Sequence, residues 1–371
     1  MKDNLKQKSG DRPMPKDVVF VINPGSTSTK IGLFGREGAI QVQNIDHAGT
    51  PLSKMATISE QLPIRQEEVA GTLKSWLSDE NLVAVVGRGG LLKPLRGGVY
   101  RVNQAMIEDT LECKYGFHAS NLGASLAEGI ARQYDVPAFI LDPVTVDEFI
   151  PEARISGIPE IKRRSRLHAL NIKACVRKAA AKLGKEPDAL NFVVAHLGGG
   201  ISVAAVQGGN IIDCNDALLG MGPFSPERAG ALPVEGLLRL AYSGEYTFQE
   251  LCTKLSKRAG LMAYLGTNDV CEVLKRIAQG DAEADLIFRA MIYQIGKEIG
   301  AMATVLQGKV DRIIITGGMA HSSQVVEALI ARVGFIAPAE VFPGENELES
   351  MAEGGFRAID GLEEIKTYTK E

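Results

Sequence analysis

The stretch "VINPGSTSTK", residues 21–30, packs small and hydroxylated side chains into the gap between two apolar runs. Two uses suit such a loop. Glycine and serine tolerate tight backbone geometry and bond their own main chain, so residues 25–29 could simply turn a β-hairpin. Alternatively, main-chain N–H groups and hydroxyls converge on an anion that comes too close to admit bulky side chains, which makes the loop a phosphate cradle. The standard phosphate motifs are absent. A P-loop needs a glycine four residues ahead of its Gly-Lys-Ser/Thr, whereas Lys30 follows Thr29; a dinucleotide fingerprint opens a helix, whereas a strand follows here.

The elements that must hold this loop alternate along the chain. Residues 1–16 read as a disordered tail; "DVVFVI", "KIGLF" and "AIQVQNI" read as strands. Residues 66–78 have helical spacing, with Val69, Leu73, Trp76 and Leu77 on one face. "LVAVVG" is a buried type of strand, residues 120–134 a helix and "AFILD" a further strand. The basic segment from 160 to 184 contains a helix ending at Gly184, its lysines and arginines forming a solvated face. Ile287, Met291, Ile295, Ile299 and Met302 mark a long helix between Asp281 and Leu306, and "RIIITGG" is a late strand. Strands alternating with helices predict α/β layers.

A long-range repeat carries more. "VVFVINPGSTSTKIGLFGREGAIQ" and "NFVVAHLGGGISVAAVQGGNIID" share one order: apolar strand, polar residue, small-residue loop, strand, turn, strand. Asn23 falls on His196, Gly25 on Gly198 and Thr29 on Ser202 at a constant offset of 173. A period near half the chain predicts duplicated domains, and two facing small-residue loops make a cleft suited to a polyphosphate.

Composition removes other classes. The net charge of −4 with interspersed signs excludes a broad nucleic-acid face, no apolar run is long enough to span a membrane, and the polar N-terminal residues lack a signal peptide's apolar segment. A cytoplasmic protein is expected. The cysteines are five, with no Cys-x-x-Cys pair, which excludes a disulfide frame or zinc knuckle.

"VINPGSTSTK", "HLGGGISVAAVQGGNIIDCNDALLGMGPFSPERAG", "ITGGMA" and "FPGENELESMAEGG" together resemble the acetate and butyrate kinase family, within the larger group of sugar kinases, actin and chaperone ATPases. "GRGGLLKPLRGG" and "GMGPFSPERAGALPVEGLLRL" are similar to its butyrate branch. The resemblance implies an α/β fold of two duplicated actin-like (ribonuclease H-like) ATPase domains around a nucleotide cleft: residues 17–160 completed by 347–371, and residues 161–346. It also implies ATP and Mg2+ as cofactors, reversible phosphorylation of butyrate, and a homo-oligomer. Alternatives are a kinase for acetate, propionate or isobutyrate, or a nucleotide switch of the actin type.

Such a reaction needs no general base, because a fatty-acid carboxylate with a pKa of roughly 4.3 is already ionised at neutral pH. It needs cations, metal and oriented donors that offset the repulsion between two anions. By the resemblance, Arg88 would hold the carboxylate or γ-phosphate, with its flanking glycines letting a ligand approach; Arg228 would stabilise the transition state; Asp142 and His168 would complete the catalytic set. Asn23, Gly25, Ser26, Ser28 and Lys30, with His196, Gly198, Gly199 and Gly200, would line the phosphates, and Gly317 and Gly318 would pass under the adenosine. Asp142 and Glu347 are the metal candidates, although "GENEL" departs from the family's adjacent glutamates and leaves Glu345 and Glu347 in competition. His47, His118 and His321 show no metal-ligand spacing and receive no role.

Overall fold

Two sheets organise the chain in the computed structural model, which describes residues 15–50, 52, 55 and 57–370. The predicted tail lies, apart from Pro15 and Lys16, outside the described residues. The first sheet holds β1 (Asp17–Pro24), β2 (Ser28–Gly35), β3 (Gly38–Asp46), β4 (Asn81–Arg88), β5 (Val99–Arg101) and β6 (Ala138–Leu141). The second holds β7 (Asn191–Leu197), β8 (Ile201–Gln207), β9 (Asn210–Cys214), β10 (Arg312–Gly317) and β11 (Ala339–Pro343); β12 (Ile365–Thr367) returns to the edge of the first.

Within the first sheet, β3-β2-β1-β4-β6 runs in the same order and sense as β9-β8-β7-β10-β11 in the second: an antiparallel three-strand meander followed by parallel strands. The duplication read from the sequence is therefore a duplication of topology. Both faces of each central strand are buried, which is why these strands are continuous apolar runs. Val18, Phe20 and Ile22 point into one layer and Val19 and Val21 into the other, all fully buried. At ~1.5–3 kcal/mol for each large apolar side chain buried, β1 alone is a main anchor of its sheet.

The hairpins differ in one respect. Pairing runs Asn23 to Lys30 in the first and His196 to Ser202 in the second, so the second loop is one residue shorter. Gly25 N–H closes onto Ser28 O, whereas Gly198 N–H closes onto Gly200 O. The constant offset thus holds up to the loop and falls by one beyond it; Lys30, not Thr29, is the counterpart of Ser202.

The predicted helix at 66 begins instead at Ile58, running Ile58–Trp76, because Thr57 and Glu60 form a reciprocal capping box and Pro63 is accommodated in its first half. Helix Ala169–Lys182 starts just after His168, and two of its basic residues depart from the solvated face expected: Lys173 is buried against Glu148, 2.9 Å away, and Arg177 faces Asp142, while Lys182 is exposed. Met291, Ile295, Ile299 and Met302 are buried along helix Ala282–Val305, as their spacing predicts. The last helix, Glu347–Ile359, packs back against β1 and β4. Among the described residues no helix is long and apolar enough to cross a membrane.

Candidate active site

Four strand ends converge. Asn23 lies one from the end of β1, Arg88 is the last residue of β4, His196 lies one from the end of β7, and Gly317 ends β10. These are carboxyl ends of parallel strands, where open α/β sheets bind their ligands.

The first loop is braced from behind. Arg65, 1% exposed, donates through Nη1 to Gly25 O at 3.0 Å and to Thr29 Oγ1 at 2.9 Å, and His47 Nε2 meets the same hydroxyl at 2.8 Å. Thr29 therefore faces the protein, while Ser26 is exposed and Gly25, Ser28 and Lys30 line a cavity of about 260 Å³ with Asn23, Arg88 and Glu347. Glu347, at the start of its helix, binds both walls: Asn23 Nδ2 donates to it at 2.7 Å and Arg88 Nη1 lies 2.9 Å away.

The glycines around Arg88 have another use than the predicted access for a ligand. A Cβ on Gly89 would strike Pro143 and one on Gly90 would strike Asn121, while Gly87 and Gly123 meet backbone to backbone. They let helix Leu122–Tyr134 lie directly on β4, and that contact aims Arg88.

From the second sheet come the other cations and rings. The rings of His168 and His196 stack at 3.8 Å and 13°. His168 Nδ1 meets Ser202 Oγ at 2.9 Å. Asn171 donates to Glu345 O, which turns its carbonyl toward His196 Nδ1 at 2.8 Å; that nitrogen then carries the proton and Nε2 presents a lone pair. Burial lowers both imidazole pKa values, His168 well below the ordinary range with further lowering by His196, Arg228 and Arg88, and His196 to about 3 with Arg88 and Arg228 adding to the effect. The two guanidiniums, one from each half, thus act on one pair of neutral rings. Arg228 lies on Gly200, where a Cβ would fall 2.0 Å from Nη1, and donates to Ala217 O at 2.5 Å. Burial lowers the Arg228 pKa, opposed by Glu227 and Asp216. Among the described residues, Arg228 Nε and His196 Nε2 are buried without a hydrogen-bond partner. Buried unpaired polar atoms are costly, and two of them at one site call for an explanation such as a catalytic role or a bound group.

Gly198, Gly199 and Gly318 line a larger cavity of about 570 Å³ beside Asn268 and Met319. Gly317, at φ +89°, must be glycine because a Cβ would lie 2.4 Å from Leu197 O; Gly318 faces open space. Asp142 is placed apart from these groups. Its carboxylate accepts from Gly98 N–H at 2.7 Å and faces Arg177 at 3.5 Å, and burial raises its pKa against the pull of Arg177 and Lys173. The two metal candidates, Asp142 and Glu347, are turned to different arginines, Arg177 and Arg88. Among the described residues no three His, Cys, Asp or Glu side chains cluster as a metal site.

His118 and Ser120 also line the Asn23–Arg88 cavity, and sequence reasoning missed both. His118 Nδ1 accepts from Ser120 N at 3.1 Å, and burial, then Arg88, lowers its pKa. Metal-ligand spacing was the wrong filter for a histidine brought to the site by a loop. Arg65 and Asn171 act one step behind the site and carry no local motif.

Two sheets of duplicated topology, each with a small-residue hairpin beside the cationic site, define a fold of the actin-like ATPase type. Solved structures agree: acetate kinase of Porphyromonas gingivalis superposes with a TM-score of 0.77 at 18% identity, over 92% of this chain and all of that one. A propionate kinase from Francisella tularensis gives 0.67 at 19%, over 91% and 98%. In sequence, the acetokinase family pattern matches residues 159–354. A protein of Caldanaerobacter subterraneus named "Probable butyrate kinase 2" is 48% identical over 94% of this chain and 99% of its own length. One of Clostridium botulinum named "Probable butyrate kinase" is 46% identical over the same shares. The chain belongs to the acetokinase family.

Proposed function

We propose that this chain transfers the γ-phosphoryl group of ATP to the carboxylate of butyrate, reversibly, giving butyryl phosphate and ADP. The observation that carries the reading is the stacked, buried His168–His196 pair, its pKa values lowered by burial and by Arg88 and Arg228 from opposite halves, with Arg228 Nε and His196 Nε2 buried and unpartnered. The relatives named for butyrate and matched over nearly the whole chain support the substrate.

Arg88 takes the carboxylate or the γ-phosphate, Asn23 and the Gly25–Ser28 turn lie along the phosphates with Lys30, and Gly198–Gly200 face them from the other hairpin. Arg228 Nε meets charge that develops on the transferring group, and His168, His118 and Ser120 complete the wall. The adenosine occupies the cavity at Gly317 and Gly318. Butyrate attacks in line as the carboxylate it already is. Asp142 acts from behind, through Arg177 and the loop at Gly98, as a positioning residue.

Glu347 fits magnesium, because that ion keeps most of its waters and takes one or two carboxylates with the phosphates. Glu345, whose pKa burial and Glu347 raise, is the less suited of the two. The metal supplies neutralisation of phosphate charge. The sheets act as the two domains, residues 17–160 with 347–371 against 161–346, and close on ATP in the cytoplasm. Helix Val234–Ala241 has no buried residue and exposes Val234 and Leu238, with Tyr242 exposed just beyond its end, which supports a homo-oligomer.

Butyryl hydroxamate formed from ATP, magnesium, butyrate and hydroxylamine tests the reading. Hydrolysis of ATP at one rate with and without any carboxylate would refute it.

A further inference from the structure

Away from the strand ends that carry the site, helices Ala169–Lys182 and Glu347–Ile359 frame a third cavity of about 380 Å³. The first helix packs on the second sheet and the other on the first, and they touch each other. Lys178 pairs across that contact with Glu349 at 3.4 Å. The cavity is lined by Lys173, Arg177, Lys185 and Arg357 against only Glu186 and Glu363.

Several of these charges are not fully engaged. Lys173 is held by Glu148 and by Gly209 O, and Arg357 Nε donates to Glu363 at 2.8 Å. Among the described residues, however, Arg177 Nε and Arg357 Nη2 are buried without a hydrogen-bond partner, while Arg177 Nη2 is ion-paired with Asp142 Oδ2 at 3.5 Å, longer than a hydrogen bond. Burial lowers the Arg177 pKa, Asp142 opposes that, and Arg357, which lines the same cavity, lowers it further. Two buried guanidiniums beside one cavity, each already paired to a carboxylate yet with a donor left over, describe a site for an anion. Arginine forks match phosphate geometry, and the volume admits more than a bare phosphate.

We propose that this cavity binds a small phosphorylated metabolite, with its phosphate bridging Arg177 and Arg357 and Lys185 at the rim, and that occupancy regulates the cleft. The route is short. Arg177 lies nine residues from His168 along one helix and Arg357 ten residues from Glu347 along the other, about 13–15 Å at 1.5 Å per residue. An anion that ties the two arginines draws together one helix from each sheet, and the opposite end of each helix carries a cleft residue. It also competes with Asp142 for Arg177.

The test is calorimetric titration of the full-length protein with inorganic phosphate and with glycerol 3-phosphate, its cleft first filled with magnesium, butyrate and a non-hydrolysable ATP analogue. One saturable site per chain is expected, tighter for the phosphomonoester, and weakened at least tenfold in the double variant Arg357→Gln/Lys185→Gln. In probe-free buffer that variant should keep kcat within about twofold, while the probe changes kcat/KM of the wild type and not of the variant. Should Arg357→Gln unfold, Lys185→Glu reverses charge at an exposed position and should weaken binding at least fivefold. No saturable binding with the cleft filled, or variant affinity within twofold of wild type, overturns the proposal; equal affinity for both probes retains the site and assigns it to free phosphate.

Discussion

Replacing Gly200 by alanine isolates the position of one guanidinium. The backbone there lies outside the left-handed region, so alanine is conformationally permitted, and the added Cβ would stand 2.0 Å from Arg228 Nη1, 2.6 Å from Cζ and 3.2 Å from Nε. Reaching ordinary contact at 3.4 Å obliges the guanidinium to move by about 1.4 Å. The obstacle is the far end of a flexible side chain, so the fold should absorb the change. Catalysis should not: a misplacement of ~1 Å costs about 10²-fold, and loss of a transition-state donor ~10²–10³. Gly200→Ala should therefore lower kcat by roughly 10² with a much smaller change in KM for ATP, measured by hydroxamate formation, while Tm moves only a few degrees. A kcat within threefold of wild type would show that Arg228 need not sit on Gly200, and would remove the argument that this glycine exists to seat it.

Arg228→Ala should lose roughly 10²–10⁴ in kcat, and combined with Gly200→Ala should lose little more than alone, because both remove one interaction; additive losses would contradict this. Acid should destabilise the fold: His168 and His196 stay neutral when folded while their unfolded counterparts protonate below pH ~6.5, so the unfolded state binds more protons and stability falls as pH drops, for His196 down to about 3. His196→Asn should flatten that fall by up to ~1.4 kcal/mol per pH unit between pH 6 and 5, and identical slopes in urea unfolding would reject it. Butyrate should exceed acetate in kcat/KM by about tenfold or more, at ~0.8 kcal/mol for each buried methylene; equal values would deny an apolar acyl pocket. Tyr242→Glu should lower the oligomeric state in sedimentation, and an unchanged mass would place any interface elsewhere.

What was legible in the sequence was local. The hairpin from Asn23 to Lys30 and its echo at His196 are continuous stretches in which strand, small loop and strand follow one another, so the duplicated fold could be read from them, as could the helix carrying Met291 and Ile295. The errors share a cause: each concerned what stands on the other side of a residue. Thr57 had to be seen capping Ile58 for the first long helix to start in the right place. The glycines beside Arg88 look like an opening for a ligand until Pro143 and Asn121, more than thirty residues on, fill the space their missing side chains leave. The lysines and arginines after His168 look solvated until Asp142 and Glu148 are found beneath them. His118 looks idle until its loop is laid against Arg88 and Glu347. A glycine or a charge in a sequence states only what the backbone or the side chain can do, and the partner decides which of these it does. That is why Gly200 and Gly89, alike as letters, differ in consequence: one leaves room for the Arg228 guanidinium, the other for the ring of Pro143.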